Sequence, residues 1–127
     1  MVENVWLLVE DAEKDIDCLS VEQFSNEIEA GTAIGLDIRD SRDKARQGSI
    51  PGTKHAPRGM LEFLTDPNSG YHDEMFDPAQ RYILYCGLGG QSALAAKTMR
   101  EMGYNNVGHL EPGLTGWIEA GKPIEKD

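Results

Sequence analysis

The chain is predicted to form an α/β fold built on a mostly parallel sheet. Three observations support this. Short apolar runs such as Ala33–Ile38, Tyr82–Tyr85 and Asn106–Leu110 recur along the 127 residues. Helix-patterned stretches separate them, and glycine or proline marks the joins. Strands that alternate with helices in this way favour parallel pairing with helical crossovers.

Taken in order, Val5, Leu8, Val9, Ala12 and Ile16 have roughly helical spacing over residues 4–16. The expectation there is a short helix on the domain surface, not a membrane or partner helix. Ser20-Val21-Glu22-Gln23 matches a capping box that opens a second helix. Phe24 and Ile28 give that helix an apolar face, and Gly31 suits its stop. Ala33–Ile38 reads as a buried strand with charge crowded at its end, in Asp37, Arg39, Asp40, Arg42 and Asp43. Pro51-Gly52 marks a turn. Residues 53–56 read as a short strand and 59–64 as a helical piece. Residues 66–80 are the longest irregular stretch. Tyr82–Tyr85 is a strand, and a helix over residues 92–102 follows it, with Gly103 as its C′ residue. Residues 106–110 form a last strand. A closing helix over 114–120 ends at Gly121 and Pro123, with Trp117 on its core side.

Charge narrows the function. The formal net charge is −10, which argues against nucleic acid, where phosphate contacts need clustered Lys and Arg. The same charge repels anionic membranes, and no stretch reaches the ~20 apolar residues of a membrane span. The N-terminus is acidic with a short apolar run, unlike a secretory signal. Two cysteines, Cys18 and Cys86, are too few for a disulfide framework. A reducing cytoplasm is therefore the expected location, and a Cys18–Cys86 bridge is not expected. His55, His72 and His109 show no metal-ligand spacing with either cysteine, and His109 reads as structural.

Cys86 carries the chemical signal. It closes the 82–85 strand and opens the loop Gly87-Leu88-Gly89-Gly90-Gln91-Ser92, just ahead of a helix. Ligands bind at that edge of open α/β sheets. The helix dipole and free backbone N–H groups there favour an anion, including a thiolate. Gly87, Gly89 and Gly90 allow the loop to curl so that successive N–H groups face one point. The Ser92 hydroxyl either caps the helix or reaches the sulfur, and the cap is the preferred reading.

Four segments resemble the rhodanese-like sulfurtransferase family. Leu36-Asp37-Ile38-Arg39-Asp40 looks like its "LDVRD" strand end, and Gly48-Ser49-Ile50-Pro51-Gly52-Thr53 is similar to its "GHIPGA" turn. Residues 85–93 resemble its "YC-x-x-G-x-R-S-A" loop, and Gly113–Trp117 with Gly121–Ile124 its closing motif. The resemblance covers residues ~19–125. It implies a five-stranded, mostly parallel sheet with helices on both faces over residues 19–127, with residues 1–18 as a helical N-terminal extension.

The resemblance further implies sulfane sulfur transfer through a Cys86 persulfide, with no metal or organic cofactor. Cys86 would be the nucleophile, and Gly87, Leu88, Gly89, Gly90, Gln91 and Ser92 would cradle the sulfur. The donor would be a small anion such as thiosulfate or a protein persulfide, and the acceptor cyanide or a thiol. Nothing in the sequence demands more than a monomer.

The sequence departs from the family pattern at Ser49, where the family usually has His, and at Gln91, where the loop usually has Arg. A neutral amide offers hydrogen bonds but no Coulomb attraction to an anion. Arg58 either replaces that missing charge or is a solvated surface residue. Asp37 and Arg39 read as a loop-binding pair in preference to pocket residues. Cys18 reads as a small, partly buried apolar residue, with a resolving thiol as the lesser alternative. Related phosphatases use Cys-x5-Arg; the corresponding position here is Ser92, so the bidentate oxyanion clamp is missing. The competing expectation from another class is a binding or regulatory module without turnover.

Overall fold

The computed structural model describes residues 1–126. Five parallel strands form one sheet in the order β1-β5-β4-β2-β3. These are β1 (Asp17–Leu19), β2 (Ile34–Asp37), β3 (Lys54–His55), β4 (Tyr82–Tyr85) and β5 (Val107–Leu110). The helices are α1 (Val5–Glu13), α2 (Val21–Ala30), α3 (Ser41–Gln47), α4 (Leu61–Thr65), α5 (Gly90–Glu101) and α6 (Gly113–Glu119). A 3₁₀ turn at Arg58–Met60 leads into α4. Among the described residues, no helix is long and apolar enough to cross a membrane.

β4 lies at the centre of the sheet, and its side chains alternate between two cores. Tyr82, Leu84 and Cys86 face one core with Ala95, Ala96 and Met99 of α5. Ile83 and Tyr85 face the other, with Phe24 of α2 and Leu114 and Trp117 of α6. This is the period of two that a strand imposes. It places Cys86 on the α5 side of the sheet, at the end where α5 begins.

Local signals fix the helix ends. Ser20 and Gln23 exchange both capping-box hydrogen bonds, and Gly31 ends α2 in the left-handed region at φ 72°. α5 starts at Gly90, two residues earlier than its pattern suggests, with Gly89 as N-cap. α1 packs on α5 through Val9, Ala12 and Ala93, and Lys97 reaches Asp11 at 3.4 Å.

The irregular 66–80 segment is anchored away from Cys86. The Tyr82 hydroxyl donates to the Met75 carbonyl at 2.6 Å and accepts from the Asp77 N–H at 2.8 Å. Phe76 is buried against the rings of Tyr82 and Tyr104. Tyr82 opens β4, so this anchor sits at the opposite strand end from the thiol.

Candidate functional site

The loop after β4 wraps its backbone around the Cys86 sulfur. Sγ accepts from the N–H of Gly89 at 3.2 Å and from that of Ser92 at 3.3 Å. Cys86 is only 3% exposed, so these backbone groups, not bulk water, are the donors that face the sulfur. They belong to the start of α5, whose first-turn N–H groups have no intrahelical partner. Gly89 makes the turn possible. Its φ is 94°, and a Cβ there would collide with the Glu111 carbonyl oxygen.

α6 holds the loop from the far side. The N–H groups of Leu114 and Thr115 donate to the carbonyls of Cys86 (2.8 Å) and Gly87 (3.0 Å). Gly113, at φ 65°, leaves room for the Gly87 carbonyl that any side chain would strike. This close approach is the physical content of the closing glycine motif.

The strand-end charges act as a brace. Arg39 is 3% exposed and donates to both oxygens of Asp37, at 2.9 and 2.8 Å, and to the Gly48 carbonyl at 2.6 Å. Its guanidinium also lies 5.7 Å from the Tyr85 ring centre. The Tyr85 hydroxyl accepts from the Ile50 N–H at 3.1 Å, and burial pushes its pKa up to about 12. The 36–40, 48–53 and 85–93 segments are thus one connected framework, as the loop-binding reading of Asp37 and Arg39 expects.

Ser92 differs from expectation. It is the third residue of α5, and no side chain caps that helix. Its fully buried hydroxyl lies 3.5 Å from Cys86 Sγ and 2.9 Å from His109 Nδ1. Cap geometry belongs to Gly89 because the helix begins two residues earlier than the pattern implies. Of the other loop residues, Leu88 is 69% exposed and Gln91 is exposed, so both face solvent at the rim. Gly87 leads out of the strand, and Gly90 lies under the Trp6 ring. Arg58 donates to Glu62 at 2.8 Å and to Thr98 at 3.3 Å, not to any loop group among the described residues.

Two residues that the motifs did not single out complete the surroundings. His109 on β5 is fully buried, and its Nε2 lies 3.0 Å from Glu13 Oε2 at the end of α1. Burial lowers the His109 pKa, with Glu13 opposing the shift. Cys18 is the register partner of His109 and lies 3.8 Å from Glu13 Oε2. Burial, then the Glu13 charge, pushes its pKa up to about 11. Glu13, Cys18 and His109 therefore bring three polar groups within 4.8 Å of one another. Sequence spacing hid this, because pairing of β1 with β5 creates it. The trio is internally hydrogen-bonded, and Cys18 keeps its proton and donates to Glu13. Both cysteines are free. A groove of about 240 Å³ beside the loop is lined by Trp6, Val9, Glu10, Glu13, Leu88, Gly89 and Glu111. A larger cavity, about 680 Å³, instead follows the β1 edge past Cys18, Glu27 and Arg81.

The class this arrangement defines is an α/β protein whose five-stranded parallel sheet ends in a buried thiol held by a loop and a helix N-terminus. The chain belongs to the rhodanese-like domain family, whose model matches residues 20–120. It is 30% identical over 98 residues to thiosulfate sulfurtransferase GlpE of Actinobacillus succinogenes, covering 77% of this chain and 80% of that one. It is 28% identical over 100 residues to the putative sulfur carrier protein YrkF of Bacillus subtilis, covering 78% of this chain. The chain spans about half (49%) of the length of that carrier.

Among solved structures, a protein of unknown function from Rhodopseudomonas palustris, described as a possible tyrosine phosphatase, superposes with TM-score 0.92. It is 37% identical, with 98% of this chain and 96% of that one covered. The polysulfide-sulfur transferase homodimer of Wolinella succinogenes gives TM-score 0.76 at 29% identity, with 95% and 86% covered. The named relatives support membership of a general sulfurtransferase family.

Proposed function

We propose that the protein is a sulfurtransferase in which Cys86 carries the sulfur as a persulfide. The observation that carries this reading is the pair of backbone N–H groups, from Gly89 and Ser92, directed at a buried Cys86 Sγ. In the first half-reaction the Cys86 thiolate attacks the outer sulfur of a donor. The Sγ–S bond forms as the donor's own bond to that sulfur breaks, and the electron pair leaves with sulfite or with a thiolate. In the second half-reaction cyanide or a thiol attacks the outer sulfur and the pair returns to Cys86. The remaining loop N–H groups suit the outer sulfur of the persulfide, which also carries charge. No cofactor enters the scheme. A reducing compartment such as the cytoplasm suits the two free thiols, and a monomer suffices for the chemistry.

The surroundings of the site favour one donor class. No Lys or Arg lies between Cys86 and Ser92, and Glu10, Glu13 and Glu111 line the adjoining groove. A thiol persulfide carries less charge than the thiosulfate dianion and meets less repulsion there. The proposed donor is therefore a persulfide, protein-bound or small, with thiosulfate as a poorer substrate. Phosphatase chemistry is disfavoured by the same charges and by Ser92 in place of a clamping arginine.

Steady-state turnover with a small thiol persulfide and with thiosulfate, each against cyanide, tests the proposal. Wild type is expected to turn over with the persulfide preferred, and Cys86→Ser to be inactive while folded. Full activity in Cys86→Ser would remove the proposal. A folded wild type inert to every donor would favour a binding module.

A further inference from the structure

We propose that Ser92, His109 and Glu13 form a proton relay that takes the proton from Cys86, so that α1, which lies ahead of the matched domain, completes the site. The proposal rests on the sulfur-transfer reading for its purpose, but not for its test.

The hydrogen-bond directions follow from which atoms hold protons. The Glu13 carboxylate can only accept, so His109 Nε2 donates across the 3.0 Å contact. In neutral imidazole Nδ1 is then the acceptor. The Ser92 hydroxyl donates to it at 2.9 Å, in preference to the Gly89 carbonyl at 3.3 Å. That leaves the Ser92 oxygen to accept from the Cys86 thiol at 3.5 Å. Every proton along the chain Cys86–Ser92–His109–Glu13 therefore points one way.

Transfer along the relay balances without a co-reactant. The Cys86 S–H bond breaks as the proton joins Ser92 Oγ, and the proton Ser92 held moves to His109 Nδ1. A thiol and a neutral imidazole become a thiolate and an imidazolium, with serine unchanged and no redox step. Afterwards Nδ1–H donates to Ser92, and the new Ser92 O–H points at sulfur. The thiolate then accepts from Gly89 N–H, Ser92 N–H and the Ser92 hydroxyl. The imidazolium faces the Glu13 carboxylate at 3.0 Å. It supplies a positive charge that no side chain of the loop provides.

The ionisable groups around His109 are Glu13 of α1, Cys18 of β1, Glu111 just beyond β5, and Cys86 across Ser92. Burial keeps the resting imidazole neutral and so able to accept. Glu13 and Glu111 favour the protonated form once it arises. His109 acts through Ser92 and is in that sense a positioning residue.

The test is the pH profile of Cys86 alkylation by iodoacetamide, a neutral reagent that needs no sulfur donor, with peptide mass mapping to separate Cys86 from Cys18. Wild type is expected to show two limbs, the lower one reporting the thiolate–imidazolium pair. Ser92→Ala and His109→Asn are expected to lose the lower limb, leaving one rise at higher pH and about tenfold slower alkylation near neutrality. Glu13→Gln keeps an acceptor for Nε2–H but removes its charge, and is expected to shrink the lower limb. If His109→Asn does not fold, Ser92→Ala and Glu13→Gln decide. Superimposable profiles across wild type and variants would overturn the relay. Loss of sulfur turnover with an intact two-limbed profile would instead overturn the sulfurtransferase reading alone.

Discussion

The groups that surround the Cys86 sulfur are ones that a sequence does not display directly. The neighbours of Cys86 in the chain identify the loop, but the donors are backbone groups, and their aim depends on one turn. Gly89 sets that turn, so Gly89→Ala is expected to strain the φ 94° backbone and push on Glu111. The expected cost is above ~1 kcal/mol in urea unfolding, with slower sulfur loading. Arg39 is the second residue with large leverage. Arg39→Ala leaves Asp37 buried and unpaired, and is expected to cost about 3–5 kcal/mol in the same measurement. Cys86, the glycines and the Asp37–Arg39 brace were legible in the sequence. Ser92 was legible only as one of two roles, because the choice turns on whether α5 begins at Gly90 or later. His109 gave no signal of the contacts on which the proposed relay rests, since its partners Ser92 and Glu13 lie far from it in the chain.

At the level of elements, most strands and helices followed the apolar pattern, but α3 and β1 did not announce themselves, because α3 buries no residue and β1 is only three residues long. α2 matched in detail because a capping box and a glycine stop are local signals. α5 began early because its N-cap is a glycine with no side chain to announce it. α1 is the element whose importance pattern alone understated. Its spacing suggested a surface helix, and its Val5, Trp6, Leu7 and Leu8 are indeed exposed. Yet it also puts Trp6 over Gly90 and Glu13 against His109. Val9→Ala is expected to cost about 2 kcal/mol of stability by emptying the small core between α1 and α5. Hydrogen exchange should show the loss first in α1 amides. Unchanged α1 protection would contradict this docking.

Across the whole molecule, the net charge of −10 and the groove carboxylates act together on any anion that approaches Cys86. Screening weakens such repulsion, so loading by thiosulfate is expected to speed up several-fold between about 0.01 M and about 0.15 M salt. Loading by a persulfide donor, which carries less charge than the thiosulfate dianion, is expected to change less over that range. Equal salt response for both donors would remove charge as the basis of donor choice. Family membership and sheet order place the thiol, whereas the charge around it is the proposed basis of donor choice. The most direct test of the account is intact-mass measurement of wild type and Cys86→Ser after a persulfide donor and then cyanide. Wild type alone is expected to gain one sulfur, which cyanide then removes. No adduct from any donor on folded wild type, or the same adduct on Cys86→Ser, would contradict it.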